Sequence, residues 1–527
     1  MKILYVSNDS ALGGASLSLL EILITMHRNH EVHVILPSEG ELSSTLRKHE
    51  IPYHIVSLER DYFVNCNIDE VSKGILIRNE YNTCKKLMKI IEDNEIDVVH
   101  TNSSVGNAGL YAAVMTGRPH VWHIRELITE HYGARYFDES VKKKLLGISD
   151  RIIAISRCVR ERILQDWSVG SIVLYDGIDR ENVPYAKFCP DSRNILIAGN
   201  ITPDKGQLDV VKAIRLVKQR GFDDVMLHIA GRASSKYVWA IKKYIEQHKL
   251  EKNVVIHPFQ SDLSDLREKC LCSVTASKFE ALGRVAVETM LSGRIPVGAD
   301  TGATPEIIGT DGTRGLLYKY GDAESLANQT VSLFTMDDAS KMKMISCAHE
   351  YAKCNFDIQK HCSDLLNIYN DCIKNYNKKK NDENRKLLME LFSGQDRQNI
   401  CLSVPAGVEK KETVKGKLNL LEYAGSNIVA WLKNEGICNV AIYGMGNCGV
   451  KVYNILEHSG IKISFVMDQD PGFIREVCRV LPATDDSVDI DAVIVCILQN
   501  EQDIINSLRK IRKERIIGIS QMIGYNG

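Results

Sequence analysis

The sequence predicts an α/β protein in which two doubly wound parallel-sheet domains face a cleft and a third, smaller α/β domain follows. Three observations carry this. Short β-branched runs alternate with amphipathic stretches along most of the chain, the series restarts near residue 190, and a third series begins after residue 425.

The first series reads as strands at 2–7, 31–36, 98–100, 121–124, 151–155 and 172–175, with helices such as 17–27 and 81–93 between them. Strands spaced by helices imply parallel sheets built from right-handed crossovers. The second series lies at 194–198, 225–230, 254–257, 272–274 and 295–297. It starts just after the turn-rich stretches 176–179 and 190–193, which sets expected domains at 1–188 and 189–340. Residues 341–376 look helical, with no further strand, and are expected to pack back across both domains. The stretch 374–386 is charged and lacks apolar anchors until Leu387, so 377–425 reads as a linker. The other use of its basic strip is contact with anionic lipid headgroups. The third domain is expected over 426–527, with strands at 440–443, 464–467, 492–496 and 516–519.

Composition agrees with this division. A length of 527 residues gives three to four domains at about 150 residues each. Hydrophobic residues make up 44% and charged residues 25%, which is globular. Lysine and arginine total 66 against 67 acidic residues, so the net charge is −1 and a nucleic-acid-gripping surface is not expected. Fifteen cysteines are scattered, with Cys270 and Cys272 the nearest pair and no CxxC. Cysteines in apolar runs, such as Cys438 and Cys496, read as reduced, buried thiols of a cytoplasmic protein. No signal peptide is visible, and the longest apolar stretch, 17–26, is interrupted by Ser18, Glu21 and Thr25. The chain is expected to be soluble, or at most peripheral at the cytoplasmic membrane face. Residues 142–144 read as a solvated lysine cluster at a helix end, or a face for a lipid-linked acceptor.

The chemistry concentrates in Ser277-Lys-Phe-Glu280-Ala-Leu-Gly283-Arg-Val-Ala-Val-Glu288, followed by Gly302-Ala-Thr-Pro-Glu306. Two glutamates eight apart would be separated by about 12 Å if the whole span were helical. That exceeds the roughly 5–9.5 Å of paired-carboxylate glycosidases, so two separate binding jobs fit better than one acid/base pair. Gly283 at a helix entry would let backbone amides approach a phosphate.

This Glu-x7-Glu with an internal glycine resembles the family-four retaining glycosyltransferases of the GT-B fold. Further segments fall in matching order: Gly13-Gly14, Trp122-His-Ile-Arg-Glu126, Ser149-Asp-Arg-Ile-Ile-Ala-Ile-Ser156, Tyr175-Asp-Gly-Ile-Asp179, Gly199-Asn-Ile-Thr-Pro-Asp-Lys205-Gly206 and His228-Ile-Ala-Gly231. The resemblance covers about residues 1–375. It implies two Rossmann-like domains, the first on the acceptor side and the second binding a nucleotide-diphosphate sugar (UDP- or GDP-linked), with no obligatory metal. Within it, Lys205 suits a point charge on the diphosphate, and amides at Gly13, Gly14, Leu282 and Gly283 would complete the cradle. Glu288 matches the glutamate that takes the ribose hydroxyls, and Glu280 the one that orients the transferred sugar.

Two departures from the family pattern matter. Arginine often follows the glycine at position 199, where this chain has Asn200, so Arg232 or Arg284 is expected to supply the missing charge, with Arg232 preferred. The first-domain histidine that faces the sugar aligns with His123, or in another register with Arg125; both lie on one face of a strand, and His123 is preferred.

In the third domain, Gly444-Met-Gly446-Asn-Cys-Gly449 follows a strand and opens a helix, and Asp468 ends the next strand. That is the context of a dinucleotide turn with an acid for ribose, so NAD or another nucleotide is expected there, or a structural role. Asp468-Gln-Asp470 is read as a strand-end turn and not a metal site. The leading expectation is a retaining glycosyltransferase acting on a carbohydrate or lipid-linked acceptor in bacterial surface polysaccharide assembly. The alternatives are an NAD-dependent oxidoreductase or epimerase run by the third domain, and a nucleotide-sugar-binding protein without catalysis.

Overall fold

A computed structural model describes residues 1–64, 70–233, 235–396 and, C-terminally, 425–522 apart from 458, 470–473, 475–476, 486 and 498–500. The chain divides into two compact units: 1–198, 204–228 and 260–402 form one, and 199–203, 229–259 and 403–527 the other.

Seven parallel strands form the first sheet, in the order Tyr53–Ile55, Glu31–Leu36, Lys2–Val6, Val98–Thr101, His120–Ile124, Arg151–Ala154 and Ile172–Val173. Lys2–Val6 shows why it sits centrally: Leu4 and Val6 enter one apolar cluster while Ile3 and Tyr5 enter another. A strand buried on both faces needs a near-continuous apolar run, and KILYV supplies one. Strand order reverses beside Lys2–Val6, so the turn that follows it, Gly13-Gly14 and helix Gly14–His27, lies at a topological switch point.

The second sheet is ordered Val254–His257, Met226–Ala230, Asn194–Ala198, Cys272–Thr275, Ile295–Ala299 and Leu316–Tyr318. Asn194–Ala198 and Cys272–Thr275 are parallel neighbours, and order reverses between them. The segments leaving these two strands carry Lys205 and Glu280. The third sheet, ordered Lys462–Met467, Asn439–Tyr443, Ala492–Val495 and Arg515–Gly518, is also parallel.

Several elements escaped the sequence reading. Tyr53–Ile55 and Leu316–Tyr318 are three-residue edge strands, and Tyr62–Val64 pairs antiparallel with Ala134–Tyr136. Three residues are too few to show a period. The expected linker is also corrected at its start: Lys378–Asp396 is a helix. Asn377 Oδ1 accepts from the Lys380 amide at 3.0 Å, Asn381 Nδ2 donates to Val114 O at 3.0 Å, and Arg385 donates to Met115 O at 2.6 Å. Those carbonyls belong to the last turn of helix Ala108–Thr116, where intrahelical partners run out. Polar side chains therefore dock this helix, with Leu388 fully buried, and a search for apolar periodicity misses it. Residues 397–424 of the expected linker lie outside the described residues.

Helix Ile358–Lys374 lays Ile358, Cys362, Leu365, Tyr369 and Cys372 into the cluster that holds Ile3 and Tyr5. Every described cysteine is free. Cys496 is buried as expected, but Cys438 is exposed, because it precedes its strand instead of lying in it. Among the described residues no helix is long and apolar enough to cross a membrane.

Candidate functional site

Lys205 ends the short turn Pro203–Lys205 and precedes Gly206. Gly206 has φ +70°, and a Cβ there would sit 2.3 Å from Ala276 O, so only glycine lets this turn press against the end of the neighbouring strand. The result is contact: Lys205 Nζ donates to Glu280 Oε1 at 2.7 Å, and the Ser277 hydroxyl donates to the same oxygen. Burial works against the Lys205 charge, but the Glu280 carboxylate outweighs it and holds the ammonium pKa above its ordinary value.

Gly283 takes φ +90° and caps helix Arg284–Leu291. Glu280 therefore lies before the helix and Glu288 within it, so the fully helical span behind the 12 Å figure does not exist. Glu288 accepts from Arg284 Nε at 2.8 Å and from Arg267. Burial raises its pKa, and the two guanidinium groups more than reverse that, leaving a carboxylate held below the usual range. Arg267 had no signal in the sequence beyond lying one strand earlier.

Arg284, expected as a second choice for the missing cation, is engaged by carboxylates. Its Nη1 and Nη2 donate to Glu21 at 2.9 and 2.8 Å, Nη1 also reaches Ser18 Oγ at 3.1 Å, and Nε is taken by Glu288. Glu21 and Ser18 lie on helix Gly14–His27. Ahead of that helix a Cβ added at Gly13 or Gly14 meets nothing within 4 Å, and Gly14 and Ala15 are exposed.

The strand-end pair is enclosed as well. Arg125 and His123 do share a face, but both are buried, His123 completely. Arg125 is paired with Asp176 and donates to Asn102 Oδ1 at 2.5 Å. Asp176 also accepts from Ser18 Oγ at 2.7 Å. His123 meets His100 edge-on and stacks on His361, with centroids 5.5 and 6.2 Å away. Burial first, and Arg125 second, push its pKa well down, so the ring is neutral. Glu306, in the matched 302–306 loop, caps helix Arg157–Trp167: it accepts from the Arg157 and Cys158 amides at 2.9 and 3.2 Å and from Tyr175 OH at 2.5 Å.

Lys142 is a further correction, since it does not join a solvated cluster. Its ammonium is buried against Asp61 at 2.9 Å, Ser104 O at 2.5 Å and Asn107 Oδ1 at 3.1 Å, and lies 4.3 Å from the Trp122 ring centroid.

In the second unit, Gly199 donates its amide to Ala230 O at 3.0 Å, the Ile201 amide donates to Arg232 O at 2.7 Å, and the Arg232 guanidinium lies 3.9 Å from the Phe259 ring centroid. Asn200 is exposed. In the third domain, a Cβ on Gly449 would sit 2.0 Å from Gly444 O, whereas one on Gly446 meets nothing within 4 Å. Asp468 accepts from the Met445 amide at 2.7 Å and from Lys236 Nζ at 3.1 Å. Asp470 lies outside the described residues, and among those described no group of three His, Cys, Asp or Glu side chains is arranged to hold a metal ion.

Two doubly wound sheets, with a glycine turn at one switch point and a paired lysine and glutamate at the other, define a GT-B glycosyltransferase. The sequence model described as Glycosyltransferase Family 4 matches residues 12–182, and that described as Glycosyl transferases group 1 matches 182–350. The chain belongs to the family-four glycosyltransferases. An uncharacterised glycosyltransferase of Methanocaldococcus jannaschii is 23% identical over 338 residues, covering 60% of this chain and 92% of that relative. Among solved structures, Anabaena HepE, in complex with UDP and glucose, aligns with TM-score 0.58 and 22% identity over 70% of this chain and 99% of its own. Staphylococcus aureus TarM, in a complex containing UDP and α-GlcNAc-glycerol, aligns with TM-score 0.55 and 16% identity over 70% and 99%.

Proposed function

We propose that this glycosyltransferase transfers a hexosyl or N-acetylhexosaminyl group from a UDP-sugar to a carbohydrate or lipid-linked acceptor, with retention of configuration, in bacterial surface polysaccharide assembly. The observation that carries it is the Lys205–Glu280 pair at the switch point of the second sheet. UDP is preferred to GDP because HepE and TarM were solved with UDP.

In this reading Lys205 keeps its bond to Glu280 and directs its other ammonium protons at the diphosphate, with the amides of 13–14 and 282–284 completing the cradle. Glu280 then accepts from sugar hydroxyls and Glu288 from the ribose. With both carboxylates ion-paired, neither is a ready nucleophile, which favours front-face transfer over a covalent intermediate. The C1–phosphate bond breaks as the acceptor oxygen bonds C1 on the same face. The departing phosphate oxygen takes the acceptor proton. The diphosphate charge is met by cations and amides of the chain, and residues 1–340 act from the cytoplasmic side.

The test is the anomeric configuration of the product by proton NMR, with UDP-glucose and UDP-N-acetylglucosamine as donors. Retention, and its loss in Lys205→Ala and Glu280→Ala, is the expected result. Inversion, or turnover untouched by either change, overturns the reading.

A second, separable reading concerns the third domain, which we propose binds a nucleotide without hydride chemistry. The tight Gly444–Gly449 packing and open Gly446 fit such a ligand, and Asp468 stands at the end of the neighbouring strand, bonded to the Met445 amide of the glycine turn. Thermal shifts of the full chain with NAD and ADP, lost in Gly446→Arg, test it. No shift with either overturns it.

A further inference from the structure

Arg267, Glu288, Arg284, Glu21, Ser18, Asp176 and Arg125 form one continuous, largely buried chain of hydrogen bonds. Arg267 and Arg284 each hold one oxygen of Glu288, Arg284 forks onto Glu21, and Ser18 accepts from Arg284 while donating to Asp176, which pairs with Arg125. Three guanidinium groups face three carboxylates, the balance that buried charge requires. The chain also has a direction in the fold. Ser18 and Glu21 are one turn apart on the helix that Gly13-Gly14 opens, and Arg284 is the first residue of the helix that Gly283 opens. One guanidinium thus ties together the helices behind both glycine turns.

We propose that Arg284 is a positioning residue: anchored on Glu21, it sets the spacing of the two glycine turns and aims Glu288. This rests on the reading above that the turns take the donor diphosphate and Glu288 its ribose. Arginine suits the task because its planar fork fixes direction as well as charge, which lysine does not. Ser18 adds a second anchor, since its hydroxyl accepts from Arg284 and donates to Asp176 at once.

The competing account makes Arg284 a plain cation for the diphosphate, and the two accounts predict opposite signs. Removing the Glu21 charge would free a plain cation and tighten donor binding. A positioning arginine loses its two-point anchor and the donor binds more weakly.

The experiment is isothermal titration of UDP into the full chain, wild type, Glu21→Gln, Arg284→Lys and the double variant, with thermal melts to verify folding. The expected result is a Kd raised about tenfold in Glu21→Gln and in Arg284→Lys, with the double variant no worse than either, as for residues acting through one contact. In turnover, donor KM rises by the same factor while kcat and acceptor KM stay within about twofold, a split that a general loss of stability does not give. Unchanged or tighter UDP binding in Glu21→Gln overturns the inference. If that variant does not fold, Glu21→Asp, which keeps the charge but draws it back by one methylene, is read in the same way. Wild-type chain that does not bind UDP overturns the donor reading and this inference with it. Wild-type binding lost in Lys205→Ala but unaltered in the Glu21 variant overturns this inference alone.

Discussion

Lys205 Nζ and Glu280 Oε1 lie 2.7 Å apart, although 75 residues separate them in the chain. Each comes from the carboxyl end of a strand, and those strands are the two neighbours at which the second sheet reverses its order. A charge-assisted bond in this position holds the two side chains to one another.

Because the two groups hold each other, their removal is expected to be strongly non-additive. Lys205→Ala and Glu280→Ala should each lower kcat/KM by about 100-fold or more, and the double variant by little beyond the worse single one. Steady-state kinetics on the four proteins measures this. Full additivity would show that the pair does not act as a unit.

Glu80 supplies a pH prediction. It is buried beside Asp61, accepts from Asn107 Nδ2 at 3.0 Å, and burial, then Asp61, raise its pKa to about 8. The folded value lies above the unfolded one, so the folded state binds the proton more tightly. Stability therefore falls as pH rises from about 5 to 8, since unfolding increasingly releases the proton. Glu80→Gln, neutral throughout, should melt near the wild type at pH 5 and above it at pH 8. Parallel melting curves across that range would refute the assignment.

Glu306 satisfies two amides at the start of helix Arg157–Trp167 and the Tyr175 hydroxyl. Glu306→Ala should cost about 1–2 kcal/mol as a lost cap. Denaturant unfolding followed by circular dichroism reads it, and a midpoint unchanged within error would contradict it.

The thiols should divide by burial. Cys189, Cys347, Cys354 and Cys438 are exposed, whereas Cys270 and Cys362 are buried with pKa values pushed up to about 12. Brief alkylation of native protein with iodoacetamide, mapped by mass spectrometry, should mark the first four and spare the other two.

How much of this was legible beforehand differs between fold and site. KILYV, EVHVIL and NILIA read as strands from their own composition, because a strand buried on both faces must be apolar along its length. Gly283 and Gly206 likewise mark positions where the backbone turns in a way other residues resist. The helix Lys378–Asp396 was not legible, since Asn381 and Arg385 dock it through carbonyls of a helix more than 260 residues earlier.

By itself, then, the sequence determined the three sheets, their parallel sense, the family, and which glycines and acids stand at strand ends. Those are local properties, written in period, turn chemistry and spacing. Only the tertiary structure decided which charges are already answered. Arg284 and Arg125, equally basic on paper, are spent on Glu21, Glu288 and Asp176, and Lys142 is turned inward onto Asp61. The reason is that a buried charge takes its meaning from the partner within about 4 Å, and that partner is chosen by packing, not by sequence neighbourhood.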